Sequence, residues 1–340
     1  MFERKPARLS PAIPWFADVR TALSPMSGVS DRAFRDICRD FGAGLAFCEF
    51  TAAKGLTYHT EKTWQLIDTK GEQAPVGVQI FGNEPESMAG AARMMRGRRL
   101  DVLDINFGCP AKKVVRKCGG SALLADLPLL IAVARAVVAG SPVPVSAKIR
   151  TGWDEASVNY REVGLALQDA GCVWVTLHGR TRAQKYSGRA NWDRIADLVE
   201  TLEIPVIGNG DVVDGESYAD MVRQTRCHAV MVGRGAMGNP WLFRQMDAAE
   251  GLGDYEPPTL LDILDLAKRH IGEDCHLRGE RSGSYLVRKH VARYFRGFPG
   301  ASAIRRELFA TETGTDMLAA LAEIRRAAER GGLDEPEVRS

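Results

Sequence analysis

LDINFGCPAKKVVRKCGG, residues 103–120, begins inside an apolar run, Val102–Ile105, broken only by Asp104. The run ends on Asn106 and is followed by Gly108, Cys109 and Pro110, which force a turn. Lys112, Lys113, Arg116 and Lys117 then crowd the approach to Cys118 and two glycines. A short apolar run bounded by turn residues reads as a buried strand. This strand delivers an amide and a thiol to its C-terminal end, next to positive charge.

Seven further runs of the same kind recur along the chain. With it, the expected strands are Thr21–Leu23, Gly44–Phe50, Val76–Phe81, Val102–Asn106, Val143–Ile149, Trp174–His178, Pro205–Asn209 and Ala229–Gly233. Between them lie helical patterns such as Pro85–Met95, Leu127–Val138, Val158–Asp169 and Tyr218–Arg223. Alternation of strand and helix implies parallel pairing, because each return needs a crossover of helix length. Eight such units predict an α/β fold, a (β/α)8 TIM barrel. A doubly wound sheet is the alternative, but no G-x-G-x-x-G follows the first strand.

The alternation stops after Trp241, and GLGDYEPPTL, 251–260, reads as a linker. LLDILDLAKRHI and MLAALAEIRRAAER then repeat apolar residues at helical spacing. The expected organisation is a catalytic barrel over 1–250 and a small all-helical domain over 251–340.

No apolar run reaches the roughly 18–20 residues of a membrane span, and MFERKPARLSPAIPWF lacks a signal-peptide pattern. Seven cysteines without a C-x-x-C pair argue against a disulfide framework, a zinc ribbon or an iron–sulfur site, and no metal is expected. A reducing cytoplasm is the expected home. The net charge is only +2, but it is unevenly spread. Arg278, Arg281, Arg288, Lys289, Arg293, Arg296, Arg305 and Arg306 face a single acid, Glu280, in their window. Arg93, Arg96, Arg98 and Arg99 form a second cluster. Such clusters suit either a polyanion partner or a solvated helix face.

Active sites of this fold sit at the C-terminal strand ends. There the sequence places Ser24–Pro25–Met26, Glu49, Gln79, Asn106 with Cys109, Lys148 with Arg150, His178, Asn209–Gly210–Asp211 and Gly233–Arg234. Gly208, Gly210, Gly233 and Gly235 in the last two loops suit a phosphate site, with Arg234 adding charge. Gln79 can donate and accept at the edge of a flavin or a base. Lys148 can snorkel, form a Schiff base or face an electron-rich ring. His178 reads as ligand, acid/base or core residue. Cys109 reads as core filler, metal ligand, nucleophile or general acid, and the neighbouring cations lower its pKa if they lie close to it. Cys118 is its rival.

SPMSGVSDRAFR, VQIFG, DINFGCPAKKV, KIRTGW, LHGRTR, IPVIGNGD and VMVGRGAMGNPW, in that order, resemble the motifs of tRNA-dihydrouridine synthases. RKHVARYFRG, 288–297, is similar to the signature of the bacterial DusB-type subgroup. The first motif has S-P-M where A-P-M is usual. The resemblance implies an FMN-containing barrel followed by a helical tRNA-binding domain. It implies that NADPH reduces the FMN and that specific D-loop uridines of tRNA become 5,6-dihydrouridine, with uridine 17 suggested by the subgroup.

By the same resemblance, Cys109 is the catalytic acid, in preference to Cys118. Ser24 (through its backbone), Pro25, Met26, Gln79, Lys148, His178, Asn209, Gly210, Asp211, Gly233 and Arg234 hold FMN, the last pair at its phosphate. Asn106 and Arg150 face the uracil, Lys112 and Lys113 the RNA, and Arg288, Lys289 and His290 the tRNA elbow. No membrane and no obligate protein partner is expected. The competing readings are an FMN-barrel oxidoreductase of a small enone or pyrimidine, a phosphosugar aldolase using Lys148, and a non-catalytic tRNA-binding protein.

Overall fold

The computed structural model describes residues 2–58, 61–116, 119–298 and 300–330, with the side chains of Lys62 and Lys113 also outside the description. Eight parallel strands run as β1 (Thr21–Leu23), β2 (Leu45–Phe47), β3 (Val76–Phe81), β4 (Val102–Phe107), β5 (Val145–Arg150), β6 (Val175–His178), β7 (Val206–Asn209) and β8 (Ala229–Val232). Each pairs with the next, and β8 returns to β1 in the register Thr21↔Val230. The sheet closes into the expected barrel, which removes unpaired edges.

The second strand is shorter than its sequence suggests. It leaves the ladder after Phe47, and a two-residue strand, Thr51–Ala52, rejoins β3 opposite Ile80 and Phe81. Between them the buried Glu49 turns its carboxylate to the backbone N–H of Gly28. That bond bends the chain away from straight pairing.

Parallel strands bury both faces, so the period-two alternation separates two apolar environments. Leu103, Ile105 and Phe107 of β4 point outward and join the large core under the surrounding helices, as do Ala147, Ile149, Val175 and Leu177. Inward positions near the N-terminal strand ends, including Ala22, Leu45, Val102, Trp174, Ile207 and Ala229, form a separate apolar plug. The turn Pro14–Asp18 inserts Phe16 into it, and its ring stacks on Trp174 at 4.3 Å. Further up, the inward positions become polar: Gln79, Asp104, Asn106, Ser146, Thr176 and His178. The barrel is dry at one end and chemically equipped at the other.

Helix starts follow side-chain capping. Asp31, Asp126, Asn191 and Asp214 each accept a backbone N–H at the start of the helix that follows. No helix among the described residues is long and apolar enough to cross a membrane.

After helix Leu242–Ala249, residues 251–259 carry no helix or strand, and helices Leu260–Arg278, Glu280–Tyr294, Ala301–Ala310 and Gly314–Glu329 follow. They share a core that includes Leu264, Ile271, Val287, Val291, Leu308 and Leu321. Arg269 pairs with Asp40 at 2.6 Å, and Lys289 with Asp31 at 3.2 Å, tying this unit to the helix after β1. Gly238, in the loop after β8, makes the closest approach. Its φ is +79°, and a Cβ there would lie 2.8 Å from the Arg293 carbonyl carbon. This contact carries Arg293 and Arg296 to the barrel mouth.

Candidate active site

A cavity of about 840 Å³ opens at the C-terminal ends of the strands. Ser24, Pro25, Met26, Gln79, Asn106, Cys109, Lys112, Lys148, Arg150, His178, Asn209, Gly210, Asp211, Gly233 and Arg234 all line it. The structure therefore brings these expected residues together. It adds Tyr186 from the loop after β6, and Arg293 and Arg296 from the helical unit.

A chain of hydrogen bonds crosses the barrel interior to the thiol. Asn106 Oδ1 accepts the backbone N–H groups of Gly108 at 3.0 Å and Cys109 at 2.8 Å. Its amide nitrogen must then donate, and it does so to Gln79 Oε1 at 2.7 Å. That leaves Gln79 Nε2 to donate to Asp104 Oδ2 at 2.6 Å, while Ser146 donates to Oδ1 at 2.6 Å. Each link fixes the next. Gln79 keeps one N–H and one lone pair for a ligand. Burial pushes the Asp104 carboxyl up to about 6, against the hydrogen bonds from Gln79 and Ser146 and the charge of Lys148. Sequence reading passed over Asp104 as an interruption in an apolar run. Its spacing of two from Asn106 was the available signal, since both must face inward.

Cys109 is only partly buried, whereas the other described cysteines are buried. Cys118 and Lys117 lie outside the described residues. Cations close to Cys109 were expected to lower its pKa, and Arg150 and Lys148 do, but burial outweighs them. Burial dominates and raises it, with only partial opposition from the Ala111 N–H and from Arg150 and Lys148. Lys112 is exposed at the rim and contributes none of these effects. The result is a thiol that keeps its proton at neutral pH, suited to an acid rather than a nucleophile.

Lys148 Nζ donates to Asn209 Oδ1 at 2.7 Å, and Asn209 Nδ2 donates to Met231 O at 2.7 Å. Burial first, then Arg150, brings the Lys148 ammonium down to about 7, with Asp104 opposing. Its proton is loosely held until an anion arrives. His178 is held well below its usual range by burial and by Lys148, Arg150, Arg180 and Arg234. It is neutral. The Arg180 guanidinium, 3.4 Å from Nε2, can only donate, which places the ring proton on Nδ1.

Arg150 gives three of its five N–H groups to protein carbonyls. Its Nε donates to Gly108 O at 2.8 Å, and Nη1 to Thr181 O and Lys185 O at 3.0 and 2.8 Å. It clamps the Cys109 turn to the loop carrying Tyr186, whose ring also lies 4.5 Å from the Arg234 guanidinium.

The last two loops divide their glycines between roles. A Cβ on Gly208 would meet Met221 Sδ at 2.9 Å, so this glycine serves helix packing and not the cavity. Gly210 has φ +124° and passes close over His178. Gly233 faces Met26 and Ser24, where added bulk would narrow the cavity. Asp211 accepts from Arg180 Nη2 and from the Ala190 N–H, both at 2.7 Å, so its carboxylate is neutralised.

The three residues expected at the tRNA elbow lie in the helical unit, outside the cavity lining. The Lys113 side chain lies outside the described residues. Arg288 donates to Thr311 O at 2.6 Å, and Lys289 is paired with Asp31. His290 is fully buried, its ring 4.4 Å from Phe34 and 4.6 Å from His270. None of these last three reaches the cavity. Docking of the helical unit onto Phe34 is what buries His290. The Arg93–Arg99 cluster also lies away from it, just before the N-terminal start of β4.

Residues 22–329 match the family model described as dihydrouridine synthase. The chain is 38% identical over 307 residues to "tRNA-dihydrouridine synthase B" of Xanthomonas axonopodis pv. citri, covering 90% of this chain and 92% of that protein. It is also 38% identical to "Probable tRNA-dihydrouridine synthase" of Mycobacterium tuberculosis, with 86% and 78% covered. Among solved structures, the 6-hydroxypseudooxynicotine amine oxidase HisD of Pseudomonas geniculata shares the fold at TM-score 0.53 and 14% identity, over 72% of this chain and 50% of that one.

Proposed function

The chain belongs to the dihydrouridine synthase family, and from that premise we propose that it reduces uridines in the D-loop of tRNA to 5,6-dihydrouridine, using FMN recharged by NADPH. The observation that carries the reading is the Cys109 thiol, its turn fixed by Asn106, at the mouth of a cavity lined by Gln79, Lys148 and Arg234.

The cavity fits the cofactor. Its volume is within the usual range for cofactor sites. Gln79 offers its spare donor and acceptor, Lys148 an ammonium, and Arg234 with the open Gly233 backbone a place for phosphate. Ser24–Pro25–Met26, His178 and Asn209–Gly210 complete the walls. Asp211 is no obstacle to an anion because Arg180 already neutralises it. When bound, reduced FMN supplies the hydride for C6 of the uracil.

The protein's own residues do the rest. Asn106 holds the Cys109 turn so that Sγ faces the cavity, and the thiol gives its proton to C5. Arg150 keeps that turn against the Tyr186 loop. The target uridine must leave its stack to enter, as in other base-flipping reactions. On this reading residues 1–250 are the catalytic unit and 251–340 the tRNA-binding unit, with no metal required.

The test is reoxidation of the NADPH-reduced flavin under anaerobic conditions. Fast reoxidation by tRNA, and none by free uridine, orotate or simple enones, supports the reading. Reoxidation by a small pyrimidine or enone alone would replace it with a small-molecule oxidoreductase. A protein that binds tRNA without reoxidation would be a binding protein only.

A further inference from the structure

Helix Glu280–Tyr294 turns Val287, Val291 and Tyr294 into the helical core. Its opposite face carries Arg281 and Tyr285, and the stripe continues past the helix end to Arg296. Arg281 and Tyr285 stand at i−4 and i on one helix face, and Arg296 follows in the turn after the helix end. Tyr285 is 69% exposed. Among the described residues, neither Arg281 nor Arg296 has an ion-pair partner. The acid beside Arg281 in sequence, Glu280, accepts the Thr315 N–H at 2.8 Å. Arg288 stays beside the stripe, its guanidinium 5.9 Å from the Tyr285 ring.

Folding gives no reason to expose an aromatic ring between unpaired guanidinium groups. A nucleic-acid strand does, because its bases stack on aromatic faces while its phosphates take the cations. The Arg296 end of the stripe lines the same cavity as Cys109. The helical rise from Tyr285 to the helix end at Tyr294 is about 14 Å.

We propose that Arg281, Tyr285 and Arg296 form a single-strand RNA track leading into the cavity, with Tyr285 stacking on an unpaired base of the tRNA whose uridine reacts. The inference rests on the tRNA reading above. It adds to the expected contacts of Arg288 and Lys289, whereas His290 is buried away from any RNA.

The experiment uses full-length holoprotein and an unmodified tRNA transcript, with steady-state kinetics and binding measured across a salt series. Tyr285→Ala should raise KM for tRNA about tenfold and leave the salt slope unchanged, and Tyr285→Phe should restore KM. Arg281→Ala should lower the salt slope by about one. An unchanged KM in Tyr285→Ala, with an active wild type, overturns the track while leaving the proposed reaction intact. A wild type that tRNA does not reoxidise overturns the reaction and the track with it. Unchanged RNA binding with altered sedimentation of Tyr285→Ala makes the stripe a contact between protein copies, and the track is then wrong.

Discussion

Asn106 Oδ1 accepts the backbone N–H of Cys109 at 2.8 Å, so an inward-facing strand residue sets the direction of the thiol three positions later. The same oxygen takes the Gly108 N–H, which fixes the turn from two points. Replacing Asn106 with Leu removes both anchors and leaves Gln79 Oε1 without its donor. A thiol displaced by about 1 Å costs on the order of 100-fold in rate. Single-turnover dihydrouridine formation should fall by that order in Asn106→Leu, while a rate within twofold of wild type would show that the turn holds itself.

Asp104 terminates this chain of bonds below the cavity. Asp104→Leu strands the donors of Gln79 and Ser146 in the barrel interior, and an unpaired buried polar group costs about 1–3 kcal/mol. Asp104→Asn keeps the shape, and Ser146 can rotate to accept from the new amide. Urea unfolding should show the larger loss in Asp104→Leu. Equal losses in the two variants would mean that shape, and not hydrogen bonding, is what the site needs.

The Lys148 ammonium, brought down to about 7 by burial and Arg150, should titrate near neutrality in cofactor-free protein. It is charged below that pH and neutral above it. A bound anion favours the charged form, so adding FMN should move the midpoint upward. NMR of 13C-labelled lysine side chains follows both. A midpoint near 10 in the cofactor-free protein would show that the cavity solvates Lys148 far better than its surroundings indicate.

His270 is neutral in the fold, brought down to about 4 by burial and by Lys289 and Arg269, against the pull of Asp31. Its unfolded counterpart protonates near 6.5. Below that pH the unfolded state binds the extra proton, so the contribution of this residue falls as pH drops from about 6.5 to 4. Over the window the stability of wild type relative to His270→Gln should decline by about 3 kcal/mol. A flat difference between the two denaturation curves would place His270 in contact with water.

The strands were legible because each is a short apolar run ended by a polar residue, a pattern imposed by burial on both faces of a parallel sheet. The strand-end residues were legible for the same reason: Gln79, Asn106, Lys148 and His178 end up around one cavity. What escaped depended on contacts between distant segments. Asp104 looked like a flaw in a strand until its partners on β3 and β5 were in place. Arg293 reaches the cavity where Gly238 lets the helix approach the rim, and Arg296 follows it. His290 sits in a basic motif, but packing on Phe34 buries it. The thiol's pKa followed burial, which no count of neighbouring lysines could reveal.

The central claim is that Cys109 supplies the proton in reduction of a tRNA uridine. The most direct measurement is a position-resolved map of dihydrouridine in transcript tRNA incubated with NADPH and either wild-type or Cys109→Ala protein. Wild type should modify defined D-loop positions and the variant should do so about 100- to 10,000-fold more slowly, with flavin reduction by NADPH and tRNA affinity retained. Dihydrouridine formed by Cys109→Ala at the wild-type rate would contradict that claim.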